Sequence, residues 1–296
     1  MKIQWYPGHM MKAKRQMLED LKLIDLVIEL LDARAVMSSR NPEIDQFANG
    51  KARLVLLNKA DLADDRVSAK WVEYFKEKNI PVVLLNSKDK SSKKRIETEV
   101  MEACKEKIER NKRRGILNRP VRAMVVGIPN VGKSTFINMY AGKAAAKTGN
   151  KPGVTKGKQW IRMGKMLELL DTPGILWPKF DDEMVGEHLA FIGSINDEII
   201  SIADLALAFL TDIKGRYRNL LESRYGVSLE EDNTKEDAVK DLYKIAKARN
   251  CLKSKDNYDY EKAARIIFDD FRNDRLGKIS LEEPTLEKEG EGLGEE

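Results

Sequence analysis

The tightest constraint on this chain is an eight-residue run, Gly127-Ile128-Pro129-Asn130-Val131-Gly132-Lys133-Ser134. It fits the pattern G-x-x-x-x-G-K-[ST] and lies between an apolar run, V-R-A-M-V-V, and a segment that reads as a helix from Lys133. A glycine-rich turn leading from a strand into a helix aims backbone N–H groups and the positive helix end at phosphate. Lys133 would reach the β- and γ-phosphates of a nucleotide, and the Ser134 hydroxyl would bind Mg²⁺. Val131, Gly132 and Thr135 complete the expected phosphate-binding set.

The surrounding sequence supplies the sheet such a loop requires. L-I-D-L-V-I-E-L-L-D, A-R-L-V-L-L-N and I-P-V-V-L-L-N are nearly continuous apolar runs, as expected of strands buried on both faces of a parallel sheet. Helical segments are expected at 10–22, around 65–78, over 91–114 and from Lys133. Q-W-I-R-M and M-L-E-L-L-D read as two further strands. The alternation predicts an α/β domain, three-layered with a mostly parallel sheet. After Pro178 the pattern changes to helices around 183–195, 198–211, 215–225, 235–249 and 258–272. The expected division is therefore residues 1–178 as the nucleotide domain with its N-terminal helix, 179–280 as an all-α helical domain, and 281–296 as a disordered acidic tail.

Asn58-Lys59-Ala60-Asp61 ends one of the strands. The Asp61 carboxylate would accept hydrogen bonds from guanine N1 and the 2-amino group, which adenine lacks. Asn58 would touch the base edge, and the Lys59 stem would lie along the ring. Asn86-Ser87 ends the next strand and fits a loop closing over the base. Together with the phosphate loop this makes GTP the expected substrate. In most GTPases the phosphate loop comes first. Here the order is base reader, closing loop, phosphate loop, Thr155 segment and Asp171-Thr172-Pro173-Gly174, a circular permutation. All the strand ends still meet at one carboxyl edge, so the site survives.

The permuted order, P-G-H-M near the start, G-I-P-N-V-G-K-S, P-G-V-T and D-T-P-G together resemble the bacterial ribosome biogenesis GTPase A family. The resemblance covers essentially residues 1–280. It implies GTP hydrolysis coupled to late maturation of the large (50S) ribosomal subunit, stimulated by that particle. The implied partners are the rRNA and ribosomal proteins of the subunit precursor.

Thr155, in P-G-V-T, is placed to close on Mg²⁺ and the γ-phosphate. Asp171 would hold the metal through a water, and the Gly174 N–H would meet the γ-phosphate. Asn130 resembles the asparagine of K⁺-stimulated relatives, so a K⁺ ion there is an open alternative. Ile175 follows Gly174 where ordinary GTPases carry a water-orienting glutamine. The helix at 10–22 leads straight into a strand and occupies the place of the usual switch helix, so its leading residue, His9, should lie on the nucleotide side. His9 is the candidate for orienting the attacking water. Docking of the N-terminus, or contact with RNA, is the alternative role. His188 is expected on a domain surface.

The net charge of +5 understates the basic body, because acid is concentrated in the C-terminal stretch. Basic clusters at Lys93-Lys94-Arg95 and Arg110–Arg114 suit a polyanionic partner such as RNA. Lys214, Arg216 and Arg218 nominate the helical domain as an RNA reader. No run of about 18 apolar residues is present, so no membrane span is expected. Cys104 and Cys251 lack metal spacing and read as reduced thiols of a cytoplasmic, monomeric protein. Two further readings compete: a GTP-gated RNA- or protein-binding module whose hydrolysis is incidental, and a phosphotransferase, for which no acceptor pocket signature is visible.

Overall fold

The computed structural model describes residues 15–141, 159–164, 166–171, 182–254 and 257–285. Its centre is a six-stranded sheet of β1 (Leu26–Asp32), β2 (Ala52–Asn58), β3 (Val82–Leu85), β4 (Val121–Val126), β5 (Gln159–Met163) and β6 (Leu167–Asp171), in the order β3-β2-β1-β4-β6-β5. Every pairing is parallel except that of β5 with β6. The permuted α/β fold expected from the motif order is thus present, with β1 buried along its whole length at the middle.

Side chains alternate across the sheet, as the period of two requires. Leu26, Ile28 and Leu30 join Leu54, Leu56 and Val125 on one face, under α2 (Lys93–Ala103) and α4 (Lys133–Ala141). On the other face α1 (Asp65–Glu77) lays Val67, Trp71 and Phe75 against Leu31, Val55 and Leu57. Met17 and Leu21 cover Val27, Met124 and Leu170 beside it. Each such buried side chain contributes about 1.5–3 kcal/mol.

The helix expected over 91–114 is two. It breaks at Cys104, and α3 (Lys105–Arg113) buries no residue. Ile96, Val100 and Cys104 form the predicted buried stripe, but Ile108 is only partly covered.

The C-terminal part contains α5 (Glu183–Phe191), α6 (Ile202–Tyr225), α7 (Lys235–Ala248) and α8 (Tyr260–Arg272). Asp182, Ser201, Thr234 and Asp259 cap the four N-termini with side-chain oxygens, each worth about 1 kcal/mol. The two helices expected over 198–225 are one, with a kink at Tyr217 and a left-handed stop at Gly226. A two-stranded hairpin, β7 (Leu252–Ser254) with β8 (Asn257–Tyr258), was not expected. The apolar core runs unbroken from the sheet into these helices. Among the described residues, no helix is long and apolar enough to cross a membrane.

Three further sequence expectations need correcting. Lys214, Arg216 and Arg218 do not form a free basic face. Lys214 is buried in an ion pair with Asp241 at 2.8 Å, Arg216 donates to the carbonyls of Ser280 and Leu281, and Arg218 binds Glu222 and the Leu229 carbonyl. His188 is buried, not on a surface. Residues 281–283, expected in the acidic tail, lie against the body: Leu281 is buried, and the Glu282 carboxylate accepts from Ser38 N and Oγ.

Candidate functional site: the nucleotide cleft

The loop between β4 and α4 has the backbone its glycines predict. Gly132 holds φ +101°, and a Cβ there would lie 2.4 Å from Asn58 Nδ2. At Gly127 a Cβ would sit 2.6 Å from the Leu30 carbonyl oxygen. Neither contact is tolerable, so only glycine permits this close approach. Asn130 also takes a left-handed conformation, φ +60°. Val131 is buried beneath the loop, Ser134 is partly covered and Thr135 is exposed. Lys133 is nearly buried and curls back, donating to the Gly127 and Ile128 carbonyls at 2.9 and 3.0 Å.

The base-reading loop follows β2, which pairs with β1 and β3. Asn58 fastens three loops together. Its amide donates to the Val131 carbonyl at 2.7 Å, and its Oδ1 accepts from Ser87 N and Oγ at 3.1 and 2.8 Å. Lys59, at φ +58°, donates to the Asn130 carbonyl and to Asp32, both at 2.9 Å. Asn86 accepts from Lys88 N within its own loop. Asp61 Oδ1 is buried and has no hydrogen-bond partner among the described residues. An unpaired buried acceptor costs about 1–3 kcal/mol.

Sequence reasoning missed the charges behind Lys59. Asp32, at the end of β1, is fully buried and binds Arg34 through both carboxylate oxygens, at 2.9 and 2.8 Å. Burial alone would raise the Asp32 pKa, but Arg34 and Lys59 outweigh it and hold the carboxyl well below the usual range. Burial lowers the Lys59 pKa, with Asp32 pulling the other way. Arg34 in turn donates to the Phe271 carbonyl and lies over the Phe271 ring at 4.8 Å. The D-A-R triplet that begins at the last residue of the seven-residue buried strand was the available signal.

The helical part also touches the phosphate loop. Asn130 Nδ2 donates to the Gly193 carbonyl at 2.6 Å, and Ser194 Oγ donates to that of Pro129 at 2.9 Å. Arg272 fixes this turn by donating to the Phe191 and Ala190 carbonyls and pairing with Asp197. Asp171 ends β6 in register with Val125, two residues before the phosphate loop. His9, Thr155 and Gly174 lie outside the described residues, as does the Asp171 side chain.

Fold and cleft together define a GTPase of the phosphate-loop class with its motifs in permuted order. Residues 122–248 match the family described as "50S ribosome-binding GTPase". The chain is 48% identical over 284 residues to "Ribosome biogenesis GTPase A" of Bacillus cereus, covering 96% of this chain and 95% of that protein. It is 33% identical to the Thermotoga maritima protein of the same name, over 95% of each. The solved structure "GNP-bound YlqF from T. maritima" superposes with a TM-score of 0.63 at 27% identity, covering 92% of this chain and 98% of that one. The chain belongs to the ribosome biogenesis GTPase A family. It is a GTP-hydrolysing enzyme with a role in ribosome assembly.

Proposed function

We propose that this GTPase serves late maturation of the large (50S) subunit in the cytoplasm, as a monomer whose turnover is accelerated by the subunit precursor it binds through rRNA and ribosomal proteins. The observation that carries the guanine half of this reading is the orphaned Asp61 acceptor beside a formed phosphate loop. The ribosomal half is supported by the family description "50S ribosome-binding GTPase". Asp61 selects the base, Asn58 and Ser87 hold the reading loop, and Lys133 exchanges loop carbonyls for phosphate oxygens.

A hard divalent cation fits the oxygen donors on offer. Ser134 opens α4 beside the carboxyl edge of the sheet, and β6 brings Asp171 level with Val125. With Thr155, these residues would hold Mg²⁺, which when bound neutralises charge on the phosphates. Asn130 is the proposed side chain for a K⁺ ion. Its Oδ1 would be the ligand, while its Nδ2 donates to the Gly193 carbonyl.

His9 is proposed to orient the attacking water and Gly174 to contact the γ-phosphate. The test is GTP turnover of wild type and His9→Ala, each alone and with large-subunit particles. The expected result is a particle-stimulated wild type and a variant that binds GTP and particle normally but loses the stimulation, by about 100-fold or more. Full stimulation of His9→Ala removes the catalytic role. A wild type that the particle does not stimulate favours the GTP-gated binding module with incidental hydrolysis.

A further inference from the structure

The guanine-reading loop is held from outside the nucleotide domain by the segment that follows α8. From Leu276 the chain turns back across the base end of the cleft, anchored by buried Leu276, Ile279 and Leu281. Its backbone meets the reading loop directly. Ile279 N donates to the Leu62 carbonyl at 3.0 Å, one residue beyond Asp61. Ser280 Oγ accepts from Asp64 N at 3.1 Å, and Leu281 N donates to the Arg34 carbonyl at 2.7 Å. The segment is itself fixed from α6, where Tyr217 Oη accepts from Ser280 N at 3.1 Å and Arg216 donates to the next carbonyls. These contacts fall on the C-terminal side of Asp61, at Leu62 and Asp64, and on Arg34, whose side chain pairs with Asp32.

We propose that this C-terminal strap, Leu276–Glu283, positions Asp61 and so sets how sharply the protein distinguishes guanine from other purines. The inference rests on the reading of Asp61 as the guanine acceptor. A loop that begins with a non-glycine residue at φ +58° is held in a strained conformation and persists only when its surroundings over-determine it. Within the loop, Leu62 N bonds to the Lys59 carbonyl and Ala60 N to that of Leu85, which fixes its entry. The strap supplies the matching hold on its exit, at Leu62 and Asp64. A carboxylate that must meet two N–H groups of one base edge loses strength steeply with misalignment. The strap residues are therefore positioning residues. None needs to touch nucleotide.

The discriminating measurement is the ratio of Kd values for IDP and GDP, determined on the full chain by titration. Inosine lacks the 2-amino group that Asp61 accepts from, so the ratio reports the alignment of Asp61, not general cleft integrity. Ser280→Ala removes the acceptor for Asp64 N with little change in volume. Ile279→Pro removes the donor to Leu62. The expected result is a ratio lowered about fivefold in Ser280→Ala, the net worth of an ordinary hydrogen bond, with GDP weakened more than IDP, which keeps only the N1–H contact. A larger fall is expected in Ile279→Pro. Should Ile279→Pro fail to fold, Ser280→Ala decides. A wild-type preference for GDP that Ser280→Ala leaves intact, including a variant in which both Kd values rise by the same factor, overturns this inference alone. A wild type with no preference for GDP over IDP overturns the guanine reading and this inference with it.

Discussion

The two ends of the nucleotide cleft are built on opposite principles. At the base-reading end side-chain hydrogen bonds tie the loops together, and one acceptor, Asp61 Oδ1, has no partner among the described residues. At the phosphate end the key cation already has partners, since Lys133 donates to two carbonyls of its own loop. Filling the first site relieves an unpaired group. Filling the second exchanges one set of bonds for another. On the proposed reading, base recognition is a property of the folded scaffold, with Asn58, the Asp32–Arg34 pair and the C-terminal strap holding the reader. Phosphate recognition is a local competition, won because phosphate oxygens carry full charge and carbonyls do not.

The comparison is broken most directly at the phosphate end. Lys133→Ala should weaken GTP and GDP alike by about two to three orders of magnitude, the usual result of removing one member of a close charge pair. The ratio of guanine to other bases should not move. A changed base preference in this variant, read by competition between GDP and IDP, would mean that the ends are not independent.

Asp61→Asn attacks the other end and should have the next largest effect. It replaces an acceptor of two charged hydrogen bonds, each worth about 1.5–3 kcal/mol, with a group that both donates and accepts. GDP affinity should fall about 100-fold. Xanthine, with a carbonyl in place of the 2-amino group, should gain. A variant that still prefers GDP to XDP would show that the orphaned acceptor is not the base reader.

The same contrast explains what could be read from the sequence. The phosphate loop and N-K-A-D are local: each function sits within a few consecutive residues, and the turn chemistry that shapes them is written beside it. Their order sufficed to show the permutation. The supports are not local. Arg34 and Phe271 meet across 237 positions of sequence, and nothing in L-G-K-I-S-L-E-E announces that it crosses the base end of the cleft. Only its last three residues, 281–283, fall within the stretch expected as an acidic tail, and 276–280 fall in the expected helical domain. Lys214 failed for a related reason. A lysine on a helix is most often solvated, and only the fold brings Asp241 to it. Asn130 was legible as part of the loop, but its bond to Gly193 depends on where the helical part docks.

The smallest effect expected concerns that docking. His188, buried on α5, lies where α5, α6, the loop after β1 and the strap converge. Its Nδ1 is 3.0 Å from Ser38 Oγ and 3.5 Å from Glu282, and its Nε2 is 3.4 Å from Asp212. Burial alone would lower its pKa, but the adjacent carboxylates of Asp212 and Glu282 outweigh that and raise it to about 9. The folded state thus holds this proton more tightly than the unfolded chain, whose histidine titrates near 6.5. The resulting stabilisation is complete below about pH 6.5 and is lost as pH climbs through 9. Both carboxylates are partly exposed, at 28% and 17%, so solvent screening reduces the effect to about 1–2 kcal/mol. Thermal melts between pH 6.5 and 9 should show wild type losing a few degrees more than His188→Gln. The difference between the two chains removes every other group that titrates in this range. Parallel curves would mean that His188 is neutral in the fold, and that the convergence of helices and strap on the guanine end is held by packing and neutral hydrogen bonds alone.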